Sequence, residues 1–125
     1  MWRIFCGLTM TLSAALVQPV SAEDLRLLMF EQPGCIYCAR WDAEIAPQYP
    51  LTDEGKAAPL TRLHLRDDVP ADITLSRPAA FTPTFVLLHD GNESGRIEGY
   101  PGEDFFWPML ATLIRNAGAS EGAGQ

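Results

Sequence analysis

The sequence predicts an α/β domain in which a mixed four-stranded sheet carries helices on its faces. Short apolar or alternating runs, typical of strands, are interleaved with a run whose apolar residues recur every three or four positions, typical of a helix. A second helical run follows the last strand, so the predicted order is β-α-β-β-β-α. Strands joined through a helix should be parallel, whereas the last two should form an antiparallel hairpin.

The first 22 residues are predicted to be a cleaved signal peptide outside the fold. Arg3 supplies a positive charge, Ile4–Val17 is apolar, and Val20-Ser21-Ala22 has the small residues of a cleavage site. The apolar run has about 14 residues, whereas a membrane-spanning helix needs about 20. Cleavage would leave 103 of the 125 residues and would place the protein in an oxidising compartment, best matched by a bacterial periplasm. An uncleaved membrane anchor is the alternative.

Composition excludes several classes of protein. Nine Lys and Arg residues against sixteen Asp and Glu give a net charge of −7, so no broad cationic surface is available for nucleic acid. A hydrophobic content of 47% is enough for a packed core. Three cysteines are too few for a small scaffold held together by disulfides, and cleavage would remove Cys6.

The first half of the predicted domain, which spans residues 23–116, contains a strand, a helix and a second strand. Leu25–Phe30 is an apolar run typical of a buried strand, and a helix is predicted from Cys35 until Pro47 disrupts it. Its apolar positions at helical spacing are Cys38, Trp41, Ile45 and Tyr49. Residues 51–59 are polar and predict a surface connection. Leu60–Arg66 alternates with period two and predicts the second strand.

The second half begins with an irregular stretch over residues 67–80 and continues with a hairpin. Thr84–His89 is an apolar strand, Asp90-Gly91-Asn92 is a turn signal, and Ser94–Glu98 is the fourth strand.

The last helix is predicted over Gly102–Asn116. Its expected buried face consists of Phe106, Met109, Leu110, Leu113 and Ile114. Residues 117–125 are rich in Gly, Ala and Ser and predict a flexible tail.

The chemistry is predicted to lie in Cys35-Ile36-Tyr37-Cys38, where the first strand passes into the first helix. At a helix N-terminus, free backbone N–H groups and the helix dipole stabilise a thiolate, which lowers the pKa of Cys35 and makes it the attacking sulfur. Cys38 lies about one turn further on and can resolve a mixed disulfide formed by Cys35. This pattern therefore favours a redox-active pair.

Three other interpretations of the cysteine pair stay open. A structural disulfide is common in exported proteins, but a loop with two intervening residues constrains the unfolded chain little. A zinc or copper site would need further ligands, and His64 and His89 are the only histidines available.

A second signal is the run Phe81-Thr82-Pro83-Thr84-Phe85. Proline directly before an apolar strand removes a hydrogen-bond donor, and a cis bond between Thr82 and Pro83 would explain its position. An ordinary trans proline at a strand edge is the alternative.

With these two motifs the sequence resembles the thioredoxin superfamily. The resemblance implies a thioredoxin-like fold, a redox-active Cys35–Cys38 disulfide, and no cofactor or metal. It also implies that the backbone of Thr82 pairs with a bound substrate strand while Pro83 flanks the disulfide.

The runs Met29–Cys38, Phe81–Phe85 and Gly99–Gly102 are similar to periplasmic thioredoxins of bacterial sulfur-oxidation (Sox) clusters. This similarity implies a reductant of the sulfur-carrier complex SoxYZ that draws electrons from a membrane thiol transporter. We expect a monomer, because the domain leaves no room for a dimerisation segment.

Met29 occupies the position at which thioredoxin has a buried aspartate, so proton transfer to and from Cys38 cannot follow that pattern. Glu31 is the nearest carboxylate and is our candidate helper base, with a solvated loop acid as the alternative. We expect Tyr37 to lie in solvent beside Cys35, where it contacts a partner or simply fills space. Trp107 could belong to the core or contact a partner.

The direction of electron flow is predicted from the residues between the cysteines. They include no histidine, which would favour an oxidant, so we expect a reductant. A glutaredoxin-like reductase, suggested by Tyr37, and a non-enzymatic copper or zinc metallochaperone are the alternatives.

Overall fold

The structure is a computed structural model that describes residues 24–123. The predicted signal peptide over residues 1–22 lies outside the described residues. The elements in chain order are β1 (Leu25–Glu31), α1 (Ile36–Glu44), a 3₁₀ helix (Tyr49–Leu51), α2 (Asp53–Ala57), β2 (Leu60–His64), β3 (Thr84–His89), β4 (Asn92–Glu98) and α3 (Glu103–Ala123). None of the helices in this part of the chain combines the length and apolar character that crossing a bilayer requires.

The four strands form a mixed sheet in the order β2-β1-β3-β4. β1 is parallel to β2 and antiparallel to β3, and β3 pairs antiparallel with β4. The predicted α/β class and the mixed four-stranded sheet are therefore confirmed. β1 lies in the interior of the sheet and its end leads directly into the cysteine motif, so the sheet fixes the position of that motif.

Alternate residues of β1 enter two separate apolar clusters, because successive side chains of a strand point to opposite faces. Leu27 and Met29 contact the cluster that includes α1 and α3, whereas Leu28 and Phe30 contact the cluster on the other face. Full burial on both faces explains why this strand reads as a continuous apolar run.

Trp41 lies at the centre of the larger cluster and is fully buried. Its ring centroid lies 5.2 Å from that of Phe85, 5.8 Å from that of Phe106 and 6.0 Å from that of Tyr49. Aromatic contacts of this kind add to the free energy of burial, so Trp41 anchors α1 against the sheet.

The predicted surface connection over residues 51–59 is wrong in its secondary structure. The chain there forms the end of the 3₁₀ helix and then α2, whose N-cap Thr52 accepts a hydrogen bond from the N–H of Gly55 at 3.0 Å. Threonine followed by acidic residues in the first turn is a helix-start signal. Hydrophobic periodicity does not detect so short a helix.

The irregular segment between β2 and β3 is tied to β4 by a shielded ion pair. Glu93 of β4 forms an ion pair with Arg96 and accepts a hydrogen bond of 2.8 Å from the N–H of Ser76. Arg96 in turn donates a hydrogen bond of 2.7 Å to the backbone carbonyl of Arg77. Burial alone would raise the pKa of Glu93, but the hydrogen bonds from Arg96 and Ser76 hold it below its usual range.

The last helix differs from the prediction at both its buried face and its end. Met109 is 42% exposed, because its position is about 80° around the helix from the centre of the buried face. The helix runs to Ala123, past the predicted end at Asn116, and Ala117 is fully buried. The predicted tail therefore starts too early. Alanine occurs both in linkers and at tightly packed core positions, so the identity of residue 117 does not distinguish the two.

We predict that Gly55→Ala destabilises the protein by about 3 kcal/mol, because an added Cβ would overlap the backbone carbonyl of Tyr49. The free energy of unfolding can be measured by urea denaturation with the disulfide intact. Lys56→Ala, an exposed change in the same helix, is the control. A Gly55→Ala protein within about 0.5 kcal/mol of the parent would show that this packing is not tight.

Candidate active site

The turn between β1 and α1 places Cys35 at the start of the helix. Gly34 adopts a φ of +79°, a conformation that residues with a side chain rarely adopt, and Cys35 follows as the N-cap of α1. The Cys35 Sγ accepts a hydrogen bond of 3.1 Å from the N–H of Cys38. The predicted position of Cys35 at the helix N-terminus is confirmed.

The two cysteines form a disulfide and differ in access to solvent. Cys35 is partly exposed, whereas Cys38 is 5% exposed and belongs to the core cluster. A partner can therefore reach one sulfur more readily than the other.

The loop before β3 is joined to the loop before Cys35. The peptide bond between Thr82 and Pro83 is cis, and the Nε2 group of Gln32 donates a hydrogen bond of 3.0 Å to the Thr82 hydroxyl. Pro83 is buried, and its carbonyl accepts the N–H of Gly99 at 2.8 Å. Sequence reasoning missed Gln32, because a contact across fifty residues leaves no local pattern.

Apolar side chains next to both loops are exposed. Ile36 is 74% exposed, Tyr37 54% and Phe81 47%. Tyr37 thus lies in solvent as expected. Trp107 packs on the core, with its ring stacked on that of Tyr49 at 6.0 Å.

A cavity of about 590 Å³ lies beside the disulfide and is bounded by both cysteines. Its lining residues are Glu31, Gln32, Pro33, Gly34, Cys35, Ile36, Cys38, Ala39, Asp42 and His64. Glu31 is the last residue of β1 and pairs in register with His64 of β2. The cavity therefore brings two carboxylates and one imidazole to the same space as both sulfurs.

Arg62 joins the two carboxylates of this cavity. It donates to Glu31 at 2.7 Å and to Asp42 at 2.8 Å, and its guanidinium lies over the Trp41 ring at 5.5 Å. It also pairs with Met29 in the strand register. Partial burial opposes its charge, but the hydrogen bonds to Asp42 and Glu31 raise the pKa of Arg62 above its usual value.

This ion pair changes the interpretation of Glu31, which is held at a strand end and is not an isolated loop acid. Sequence reasoning assigned Asp42 to the helix that begins at Cys35 and Arg62 to the strand over Leu60–Arg66. It did not bring the two together, because the parallel pairing of β1 with β2 is what makes them neighbours.

The far end of α1 is held by Tyr100. Its hydroxyl donates a hydrogen bond to the carboxylate of Glu44, and this bond lowers the pKa of Glu44 although burial opposes it. The helix is thus fixed at Cys35 and again one residue before its C-cap.

Over residues 24–123 we find no group of three or more His, Cys, Asp and Glu side chains that could hold a metal ion. His64 borders the cavity, and its Nδ1 accepts the N–H of Arg66 at 3.2 Å. His89 ends β3 and does not line the cavity.

Comparison with known proteins gives one family and one similar structure. The sequence pattern of the thioredoxin-like domain matches residues 12–114. The structure is similar to that of the periplasmic thioredoxin SoxS from Paracoccus pantotrophus in its reduced form, with 74% sequence identity and a TM-score of 0.73. The alignment covers 74% of this chain and 98% of that one. Comparison with curated proteins gives no match. This chain belongs to the thioredoxin-like family and is a thiol-disulfide oxidoreductase with a Cys35–Cys38 redox centre.

Proposed function

We propose that this protein works in the periplasm, reducing a disulfide or mixed disulfide on the sulfur-carrier complex SoxYZ during sulfur oxidation. Electrons would come from a membrane thiol transporter. The observation that carries the proposal is the asymmetric pair, with Cys35 partly exposed at a helix N-terminus and Cys38 shielded behind it. The similarity to a periplasmic thioredoxin SoxS supports both the compartment and the pathway.

In the proposed reaction the reduced protein begins with Cys35 as a thiolate, stabilised by the free N–H groups and dipole of α1. Cys35 attacks the partner disulfide, forms a mixed disulfide, and releases one partner sulfur as a thiolate. Cys38 then loses its proton and attacks the Cys35 sulfur. The bond from Cys35 to the partner breaks, the intramolecular disulfide forms, and the partner leaves reduced by two electrons in total.

The partner segment would bind along the loop that holds Thr82 and Pro83. The Thr82 side chain is engaged by Gln32, which leaves its backbone to pair with an extended partner strand. Pro83 has no N–H and would flank the disulfide, as in similar proteins, and Tyr37 offers an exposed aromatic contact.

Glu31 is proposed as a helper base for the resolving step. It lines the same cavity as Cys38, and its carboxylate is directed by the bond from Arg62. A proton leaving Cys38 would reach Glu31 through this solvent-accessible space.

We predict that Cys38→Ser traps a mixed disulfide between Cys35 and SoxYZ, because the resolving thiol is absent. The experiment mixes reduced Cys38→Ser protein with purified SoxYZ carrying a mixed disulfide on its carrier cysteine, followed by non-reducing electrophoresis and mass spectrometry. The control is Cys35→Ser, which keeps Cys38 but lacks the attacking sulfur. Equal amounts of adduct with both variants, or none with either, would contradict the proposed partner.

We predict that Glu31→Gln slows the resolving step about tenfold and leaves the first attack by Cys35 unchanged. The two steps can be followed in stopped flow as two phases of thionitrobenzoate release from dithiobis(nitrobenzoate). Glu103→Gln, an exposed carboxylate on α3, is the matched control. An unchanged second phase in Glu31→Gln would show that Glu31 is not a base.

A further inference from the structure

Among the described residues, the core cluster that holds Cys38 has no carboxylate or imidazole member that could accept its proton. Its members are aliphatic, aromatic and thioether side chains, among them Met29 and Trp41. The Arg62 Nη1 lies 3.7 Å from the Met29 Sδ, so a cation borders this part of the core. A proton that leaves Cys38 must therefore go toward the cavity.

Asp42 is well placed on that route. It lies four residues after Cys38 on α1, and residues four apart share one face of a helix with Cβ atoms about 5–6 Å apart. Helical side chains lean toward the N-terminus, which directs the Asp42 side chain toward the turn that contains Cys38. Both residues line the same cavity.

Arg62 holds this carboxylate through only one of its two oxygens. It donates to Oδ1 of Asp42 at 2.8 Å, and within residues 24–123 no hydrogen bond engages Oδ2. The same guanidinium holds Glu31 and rests on the Trp41 ring, which is immobilised in the core. Arg62 is therefore held in place by Glu31 and Trp41, and its bond to Oδ1 orients the Asp42 carboxylate.

His64 is a poorer candidate, although it also lines the cavity. Its Nδ1 accepts the backbone N–H of Arg66 at 3.2 Å, so the neutral ring carries its proton on Nε2. In that state neither nitrogen is free to take a proton from a thiol.

We propose that Asp42 is a second acceptor, alternative to Glu31, for the single proton of Cys38 in the resolving step, and that Arg62 is its positioning residue. The inference rests on the proposed thiol-disulfide exchange. The Cys38 S–H bond breaks and the proton passes to the Asp42 carboxylate through the cavity. The thiolate attacks the Cys35 sulfur, and the departing partner sulfur later takes up a proton from water.

Whether removal of the Asp42 carboxylate slows or speeds the resolving step distinguishes a base from a group that acts only through its negative charge. A carboxylate that acts through its charge alone disfavours a nearby thiolate, so its removal would speed the resolving step. Removal of a carboxylate that acts as a base would instead slow the resolving step. General-base catalysis contributes about a hundredfold or more, and Glu31 remains to replace part of it.

We therefore expect Asp42→Asn to slow the second phase of thionitrobenzoate release about tenfold and to leave the first phase unchanged. Asp68→Asn removes the same charge from an exposed position and should change neither phase. Asp42→Glu retains a carboxylate and should recover most of the rate. Arg62→Gln, which removes the positioning contact, should slow the second phase less than Asp42→Asn does.

A second phase that is unchanged or faster in Asp42→Asn would overturn this inference. The inference would also be overturned if the second phase were no faster in Asp42→Glu than in Asp42→Asn. The first phase reports the attack by Cys35 in the same trace, and an unchanged rate of that phase shows that the surroundings of Cys35 are intact in each variant. The two proposals can fail separately. If Cys38→Ser forms no adduct with SoxYZ but Asp42→Asn slows the second phase, the proposed partner is overturned and the role of Asp42 stands.

Discussion

The site depends on how β1 passes into α1. Gly34 makes the turn with a positive φ, and Cys35 then caps the helix while Cys38 enters the core one turn later. Burial of Trp41 in an aromatic cluster fixes the orientation of α1. Because one face of this helix is committed to the core, the two sulfurs differ in access, and in our proposal this difference gives them separate steps of exchange.

A second constraint is the position of charge around the shielded sulfur. The strand register places a thioether, Met29, beside Arg62, whose guanidinium reaches the two carboxylates at the cavity wall. The core around Cys38 thus stays apolar, and ionisable groups approach it from the solvent side. In our proposal the cavity that Glu31 and Asp42 line serves proton transfer, and the loop with Pro83 supplies the binding surface.

Much of this architecture was predictable from local sequence signals. The apolar run of β1, the turn before β4 and the spacing of Cys35 and Cys38 each encode a structure within a few residues, and all three were placed correctly. The contacts of Gln32 and Arg62 were not predicted, because they join residues that are distant in sequence and depend on strand pairing. Helix α2 was missed since five residues carry too little periodicity.

Exchange by this pair requires that Cys35 be an activated, accessible thiolate and that Cys38 not be one. The most direct measurement is the rate of carboxamidomethylation of each cysteine by iodoacetamide in the fully reduced protein, resolved by peptide mass spectrometry across pH. We expect Cys35 to react much faster than Cys38 at neutral pH, with a midpoint well below the value of about 8.5 for a free thiol. Equal rates for the two sulfurs, or a Cys35 midpoint at or above that value, would contradict it.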